Sequence, residues 1–525
     1  MTRRPTFGRM LVAGAAALLL QAAAPAWAQD LKLAMSSPPS SIDPHFQNLV
    51  PNTNVSAHIF ETLLDLDPNS RIQPGLAESW KQVNDTTWEF KLRRGAKFSD
   101  GSPVTAEDVI YSLNRPATVK NSPAPFTTYT RSFASLTAVD TGTVRLVTRE
   151  PVPLLPFDLS SVFILSKKAS DGLSTEDFNA GKGMVGSGPY RFVRYLRDDR
   201  IELARNEHYN GDDKSHWSTV TIRFIPNAST RLAALLAGDV QAIENIPTPD
   251  LARLRGDARF QVMSKTSARI MFLFADWRDK SPFVTDKAGN PLAKNPLQDV
   301  RVRRALSMAI NRDALRDRVM EGLAEPSEAL VPPGMSGHNA NLKTVKFDPE
   351  GAKRLLAEAG YPNGFGLTVH GPNNRFVNDE KVTQAIAQMF TRVGVESKVE
   401  SLPMAVYAPR GGKFEFSVSF IGWGGVEASS GLRGLVACEN AAKGLGVVNW
   451  SKYCNPKLDA LLAKALSTMD DSARDKLLQE AAALVSEDVA LIPLYFQVSA
   501  WGVRKGISYA GRRDERTFAQ LFKPQ

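Results

Sequence analysis

Residues 87–109 have the sequence TWEFKLRRGAKFSDGSPVTAEDV, which predicts a strand, a turn and a helix in that order. Polar and apolar side chains alternate over residues 87–93, as in a strand that buries one face. The Asp-Gly and Ser-Pro pairs within residues 99–103 favour a turn. Thr105 then stands three residues before Asp108, which is the spacing of a capping box at the start of a helix.

The same order of strands and capped helices recurs along the chain. Helices are expected to begin at Asp348, at Asp379 and at Asn455, the second of them ending near Gly394. The apolar residues 489–498 are expected to form a strand. This alternation predicts a mainly α/β architecture, and the sequence contains no internal repeat and no low-complexity linker.

The first 28 residues have the order of a secretory signal peptide. Arg3, Arg4 and Arg9 precede an apolar run rich in alanine and leucine, and residues 26–28 form an Ala-Trp-Ala cleavage site. A membrane anchor is the alternative interpretation, but the apolar run is short for spanning a bilayer. Cleavage after Ala28 would leave 497 of the 525 residues and would lower the formal charge from +9 to +6 by removing the three arginines.

The mature chain is expected to be a secreted, soluble, periplasmic protein with more than one domain. A length of 497 residues exceeds that of most single domains. No later apolar run reaches the length of about 18 residues that a membrane span needs. The mild positive charge is spread along the chain rather than clustered, which indicates a solvated surface and argues against an acidic ligand or nucleic acid as a partner.

The chain contains two cysteines, Cys438 and Cys454. In an oxidising compartment a pair at this spacing can close a small loop, which is worth about 3 kcal/mol in chain entropy. Two free buried thiols are the alternative. Neither cysteine has a histidine or a further cysteine at ligand spacing, so this pair does not predict a metal site.

Signatures of catalysis are sparse. The six histidines are scattered and form no His-Glu-x-x-His cluster. Ser187 lacks the glycine two positions before it that a nucleophile elbow requires. The glycines near Lys182 lack the Gly-Lys-Ser/Thr ending of a phosphate loop, so a tight turn is expected there. We therefore expect neither an enzyme nor a cofactor, with a secreted hydrolase as the less favoured alternative.

A set of short motifs follows one another across nearly the whole mature chain. They are PGLAESW at 74–80, WEFKLRRGAKF at 88–98, DGSPVTAEDV at 100–109, GSGPY at 186–190, ASTRLAALLAG at 228–238, DVRVRRAL at 299–306, AINR at 309–312, AEAGYP at 357–362, GW at 422–423 and LIPLY at 491–495. In this order they resemble the peptide/nickel (family 5) extracytoplasmic solute-binding proteins of ABC importers.

The resemblance implies a periplasmic-binding-protein-like clamp of two lobes joined by a hinge, with a smaller third domain inserted in the first lobe. Lobe I would comprise residues 29–61, 186–270 and 497–525, the inserted domain II residues 62–185, and lobe III residues 271–496. The crossings near Ile270 and Val498 would then be the hinge strands. Cys438 and Cys454 also fall where dipeptide-binding members of the family have a disulfide.

At the implied ligand site the chain departs from the peptide-binding pattern. After the Gly-Trp pair at 422–423, peptide-binding members have an aspartate that pairs with the amino terminus of the ligand, and Val426 stands in its place. The neighbouring Glu427 is a candidate to replace that acid. Arg375, next to Asn374, is a displaced match for the arginine that holds the ligand carboxylate; a surface arginine before a helix is the alternative.

Three further residues are candidates for ligand contact. Trp423 could form an aromatic wall of the cleft, and ordinary core packing is the alternative. Asp276, followed by Trp277, could supply the acid that Val426 does not, or it could cap a turn. Nickel binding in the family usually proceeds through small chelators, so the resemblance implies no direct metal site.

We therefore expect a monomeric solute-binding component of an ABC importer. It would capture a peptide-like or related small polar ligand between two lobes and deliver it to the permease subunits in the inner membrane. A ligand-presenting receptor or chaperone-like protein of the same fold is the alternative.

Overall fold

The structure is a computed structural model and describes residues 30–212 and 216–525. The predicted signal peptide lies outside the described residues. No helix within the described ranges is both long enough and apolar enough to cross a membrane.

The strands of the described residues have the following bounds. They are β1 Asp30–Met35, β2 Leu64–Leu66, β3 Ile72–Pro74, β4 Ala77–Asn84, β5 Thr87–Leu92, β6 Phe133–Asp140, β7 Thr143–Thr148, β8 Tyr190–Leu196, β9 Arg200–Arg205, β10 Thr219–Phe224, β11 Ala242–Glu244, β12 Phe260–Ala275, β13 Val284–Thr285, β14 Ala324–Pro326, β15 Gly366–Pro372, β16 Glu396–Leu402, β17 Val418–Gly424, β18 Ile492–Arg504, β19 Ile507–Tyr509 and β20 Phe522–Pro524.

The α-helices alternate with these strands. They are α1 Val50–Ile59, α2 Ala106–Asn114, α3 Thr127–Thr130, α4 Leu155–Leu159, α5 Lys167–Ser170, α6 Thr175–Asn179, α7 Ala228–Ala237, α8 Leu251–Gly256, α9 Val300–Ala309, α10 Arg312–Ala314, α11 Pro349–Glu358, α12 Asp379–Arg392, α13 Met404–Gly412, α14 Ala428–Gly431, α15 Pro456–Ser467 and α16 Asp471–Glu487.

A twelve-stranded mixed sheet runs through the molecule. Its main path is β13-β15-β17-β12-β18-β11-β1-β10-β9-β8, with β14 paired to β18 and β16 paired to β15. The two longest strands, β12 with 16 residues and β18 with 13, pair antiparallel in the middle of this path. Their pairing changes register twice, between Thr266 and Ile270 and between Met271 and Phe272. The β12–β18 pair therefore connects two halves of one sheet.

A second, four-stranded antiparallel sheet with the order β4-β5-β7-β6 forms a smaller unit, inserted in sequence between β1 and β8. Trp88, Phe90 and Leu92 alternate along β5 and are buried together with Val144 and Leu146 of β7. This core is separate from the apolar clusters that cover the central sheet. The α/β architecture of two lobes with a smaller inserted domain is confirmed.

Several local predictions are confirmed. The predicted strand at residues 87–93 is β5, and both hydrogen bonds of the Thr105/Asp108 capping box are present at α2. The helices α11, α12 and α15 begin at the residues that follow Asp348, Asn378 and Asn455. Cys438 and Cys454 form a disulfide, as expected.

The predicted strand at residues 489–498 has the wrong limits. Val489 has a left-handed backbone with a φ of 46°, because the chain turns there at the end of α16, so the strand begins only at Ile492. It continues to Arg504, since pairing with β12 extends as far as Phe260. The predicted crossings at Ile270 and Val498 lie within these two strands, whereas the exact lobe limits stay a prediction.

Candidate ligand-binding cleft

A cavity of about 860 Å³ lies over the β12–β18 pair, and we refer to it as the cleft. Arg269 of β12 and Gln497 and Ser499 of β18 line it. The rest of its lining comes from residues 35–37, 48–51, 53–54, 228, 231, 244–248, 374–378 and 515–516. Because these segments belong to different ends of the central sheet, the cleft is built from both halves of the molecule. Its volume is in the usual range for small-ligand sites.

An ion pair between Arg269 and Glu515 occupies one side of the cleft. Nε of Arg269 donates to Oε1 of Glu515 at 3.0 Å, and Nη2 donates to Oε2 at 2.6 Å. Both side chains are largely buried, at 14% and 17% exposure. Burial opposes ionisation of Glu515, but the charge of Arg269 outweighs it and lowers the pKa of the carboxyl. Gln497 donates to the same carboxylate at 3.3 Å.

The backbone holds Glu515 in a costly conformation. Its φ is 64°, in the left-handed region that residues other than glycine rarely adopt. Asn245 and Asn378, which also line the cleft, have φ values of 53°. Asparagine adopts this backbone conformation readily, whereas in glutamate it costs about 1 kcal/mol or more of conformational free energy. Strained backbone of this kind concentrates at functional sites.

The other glutamate of the cleft, Glu244 of β11, is also bound by the protein's own donors. Oε1 accepts hydrogen bonds from the backbone N–H of Ser36 at 2.9 Å and from its hydroxyl at 2.7 Å. Oε2 accepts one from the hydroxyl of Thr517 at 2.9 Å. The carboxylate therefore ties β11 to the segment after β1 and to the C-terminal segment.

Arg231 lines the cleft, but its guanidinium is already bound by backbone carbonyl groups. Its guanidinium donates to the backbone carbonyls of Ile225, Pro226, Glu244 and Asn245. The side chain is buried, and burial lowers its pKa. Arg231 thus fixes the loops at the edge of the cleft rather than presenting a free cation.

Two other arginines of the lining, Arg375 and Arg516, make no side-chain hydrogen bond or ion pair among the described residues. The carboxylates that act on them electrostatically are those of Glu515 and Asp379 for Arg375 and that of Asp514 for Arg516. Arg375 lies over the ring of Phe376 at 5.2 Å, and Arg269 lies over the same ring at 5.7 Å. Desolvation in the cleft and the neighbouring charge of Arg269 lower the pKa of Arg375. A guanidinium nevertheless stays protonated at neutral pH. Arg516 also lines a second cavity, of about 430 Å³, that contains Glu61.

A hydrogen-bonded contact closes the cleft between residues that lie far apart in sequence. Nδ2 of Asn378 donates to the hydroxyl oxygen of Thr248 at 2.9 Å and to the carbonyl of Val319 at 2.7 Å. Asn378 stands just before α12, and Thr248 stands just before α8. The contact therefore links the two sides of the cleft directly.

Of the residues predicted to contact ligand, the structure places Asn374 and Arg375 together in the cleft. Oδ1 of Asn374 accepts a hydrogen bond from the backbone N–H of Met404 at 2.9 Å, which fixes the loop between β15 and α12. Asp379 stabilises the same loop by accepting from the backbone N–H groups of Arg375 and Phe376 at 2.9 and 3.0 Å.

The two acids predicted as ligand partners do not line the cleft and are committed elsewhere. Glu427 is buried and caps α14, accepting from the backbone N–H groups of Ser429 and Ser430 at 2.6 and 3.0 Å. Asp276 is buried and forms a two-pronged ion pair with Arg278 at 2.9 and 2.8 Å. Neither carboxylate offers a free face to a ligand in this arrangement.

The two predicted tryptophans also lie outside the lining of the cleft. Trp423 is half-buried, and its Nε1 donates to the hydroxyl of Ser430 at 3.2 Å. Trp277 packs edge-on against Tyr453 at 4.8 Å, with the guanidinium of Arg303 over its ring at 3.7 Å. Both side chains contact the apolar cluster on the β17 side of the central sheet.

Sequence reasoning did not single out Arg269, Glu515 or Arg516. A signal for the first was present, because Arg269 interrupts an otherwise apolar strand pattern at Ala268–Phe272. The run of charges at residues 512–516 was a signal for the other two. Their proximity to one another depends on the return of the C-terminal segment to β12, which local pattern does not reveal. The described residues contain no group of three or more His, Cys, Asp or Glu side chains that could hold a metal ion.

The two-part sheet, the inserted domain and the cleft define a clamp-type binding protein. The chain belongs to the bacterial extracellular solute-binding proteins, family 5 Middle, whose family model matches residues 71–443. The recognition of this family from sequence motifs is confirmed.

Individual relatives match most of the chain. The dipeptide-binding protein of Escherichia coli K12 is 27% identical over 474 residues, covering 83% of each chain. The glutathione-binding protein GsiB of the same strain is 28% identical over 497 residues, covering 92% of each chain. Among solved structures, the periplasmic binding protein DppA of Helicobacter pylori in complex with the peptide STSA has a TM-score of 0.73 at 25% identity, covering 94% of this chain and 97% of its own.

Proposed function

We propose that this protein captures a small peptide-like solute in the cleft and delivers it to the permease subunits of an ABC importer. The observation that carries the proposal is a cleft whose walls come from both halves of the molecule and whose sides meet through Asn378 and Thr248. Such a site opens and closes by hinge motion around its ligand. Membership of a solute-binding family supports the binding role, and the dipeptide- and glutathione-binding relatives support a peptide-like cargo.

The proposal includes the biology expected from the sequence. The protein is exported with cleavage after Ala28, acts in the periplasm as a monomer and does not transform its cargo. Lobe I comprises residues 29–61, 186–270 and 497–525, the inserted domain residues 62–185, and lobe III residues 271–496. Arg375 supplies a two-pronged donor for a carboxylate of the cargo, which is the geometry in which guanidinium groups bind carboxylates best.

Mass spectrometry of the solute released from the purified protein, followed by calorimetry with that solute, tests this function. We expect one solute per chain, recovered chemically unchanged. Arg375→Gln should weaken its binding about tenfold or more, because a charge-assisted hydrogen-bond pair is lost. Arg191→Gln, on the exposed face of β8 away from the cleft, is the matched control and should bind normally. Conversion of the solute during incubation would instead support a hydrolase.

A further inference from the structure

Some charged side chains of the cleft are already bound by other groups of the protein, and others are not. Four arginines and two glutamates line it, with no lysine, aspartate or histidine among the lining residues. Both carboxylates are bound by the protein itself, Glu515 by Arg269 and Glu244 by three hydroxyl and backbone donors. Arg231 is bound to four carbonyl groups. The groups left to meet a ligand are therefore cations, Arg375 and Arg516.

An ammonium group on the ligand would find no uncommitted carboxylate in the cleft. To pair with it, Glu515 would first have to release Arg269, which would then lie unpaired and largely buried. Leaving such a charge without its partner is strongly unfavourable. Val426 is apolar, and the carboxylates of Glu427 and Asp276 lie outside the lining and are already bonded.

An anionic ligand is favoured by the same arrangement. Burial is the main cause of the lowered pKa of Arg375 and the charge of Arg269 adds to it, whereas the carboxylates of Glu515 and Asp379 act in the opposite direction. Phe376 lies under both guanidinium groups. The edge of Arg269 is bound by Glu515, whereas the edge of Arg375 makes no hydrogen bond among the described residues. Arg516 follows Glu515 directly in the chain, so the ion pair that fixes Glu515 also fixes the backbone that carries Arg516.

From these contacts we propose that the cargo is a peptide-like acid with at least two carboxylate groups, bound without any requirement for a free amino group. One carboxylate meets Arg375 and the second meets Arg516. An acidic peptide whose amino terminus is acylated fits this description. The inference rests on the proposed function, since it names the class of solute that the same cleft would carry.

Calorimetry of the protein purified from the full chain tests the inference with matched probes, Glu-Glu, N-acetyl-Glu-Glu, Gln-Gln, Ala-Ala and Lys-Lys. We expect acetylation of Glu-Glu to leave its dissociation constant unchanged or to lower it. Gln-Gln has only its C-terminal carboxylate for the two arginines and should bind about tenfold or more weakly than Glu-Glu, because one charge-assisted contact is lost. Arg375→Gln and Arg516→Gln should each raise the dissociation constant of N-acetyl-Glu-Glu about tenfold or more, whereas Arg191→Gln should leave it unchanged.

The remaining outcomes separate this inference from the function on which it rests. Tighter binding of Lys-Lys or Ala-Ala than of N-acetyl-Glu-Glu, or loss of Glu-Glu binding on acetylation, overturns the inference and leaves the transport function standing. Purification of the protein with a neutral or basic solute bound likewise overturns the inference and leaves the transport function standing. If no probe binds and no solute is retained, the proposed function fails together with the inference.

Discussion

Glu515 combines a left-handed backbone with a largely buried ion pair to Arg269. Glu515→Gln keeps the size of the side chain but leaves Arg269 without a counter-charge. We expect the free energy of unfolding to fall by about 1–3 kcal/mol, measured by urea unfolding at pH 7. The pair Arg269→Gln and Glu515→Gln together should cost less than the sum of the two single changes.

The pH dependence of this ion pair has a definite sign. Arg269 lowers the pKa of Glu515 below its usual value near 4.5, so the stabilisation is present above that value. It is lost as the pH falls through the lowered pKa.

For the double variant Arg269→Gln/Glu515→Gln, a loss of unfolding free energy at pH 7 that equals the sum of the two single losses would show that the two charges do not interact.

Glu328 titrates in the opposite sense. It is 7% exposed, its Oε2 has no hydrogen-bond partner among the described residues, and burial raises its pKa to about 7 in spite of nearby Arg312. Because the folded protein holds this proton more tightly, stability is present below pH 4.5 and is lost as the pH rises to about 7. Glu328→Gln cannot lose a proton and should avoid that loss.

The expected size of the Glu328 effect is large enough to measure. Between pH 5 and pH 8 the variant should gain roughly 2–3 kcal/mol of unfolding free energy relative to the unmodified protein, as read from urea midpoints at the two pH values. Glu328 and Glu487 both line a third cavity, of about 490 Å³, and the side chain of Glu487 is exposed, so Glu487→Gln is the matched control. Equal pH profiles for Glu328→Gln and the unmodified protein would show that Glu328 ionises normally.

At the residue scale, the sequence predicts only part of the cleft. The Gly-Trp motif and the loop near Arg375 can be located because they are local patterns. Glu427 and Asp276 have the right chemistry for an amine, but Ser429 and Arg278, each two residues further along the chain, already bind them. The pairing of Glu515 with Arg269 joins residues far apart in sequence, so it becomes visible only after folding.

At the scale of elements, capping and alternation predict helices and strands well, because these signals act within a few residues. The capping box at Thr105 and the alternation along β5 are examples. The limits of β18 were mispredicted because its length is set by its partner β12, which is more than two hundred residues away in the chain. Long-range pairing of this kind leaves no local trace.

The disulfide closes the segment that follows α14 against the start of α15. Replacing both Cys438 and Cys454 by serine should lower the free energy of unfolding by about 3 kcal/mol, since a loop of this size regains its entropy when unfolded. Thermal unfolding with and without a reductant measures the loss. Reductant should destabilise the unmodified protein and leave the double variant unaffected; equal sensitivity of both would contradict a role for this bond.

At the scale of the whole molecule, the contact between Asn378 and Thr248 favours the closed arrangement. Asn378→Gly removes the amide while accommodating the φ of 53° without strain. Loss of about 1 kcal/mol should shift the ligand-free population about fivefold toward open forms. Small-angle scattering should then report a larger radius of gyration without ligand and an unchanged one with saturating ligand.

Asn378→Ala provides the comparison, because it loses the same hydrogen bond and adds backbone strain. Both variants should open to a similar extent, while only the alanine variant should lose additional unfolding free energy. An unchanged radius of gyration in the glycine variant would show that the contact does not hold the lobes together.

The connection between the two halves of the molecule is itself a piece of sheet. β12 and β18 are hydrogen-bonded along most of their length. Opening of the cleft therefore has to twist this hydrogen-bonded strand pair, because the two halves are joined there by paired strands rather than by a flexible linker. Twisting is easiest at the two register shifts, where ladder bonds are already interrupted. We therefore expect opening to be a small elastic twist of the sheet, which returns the two halves to their starting arrangement without refolding any segment.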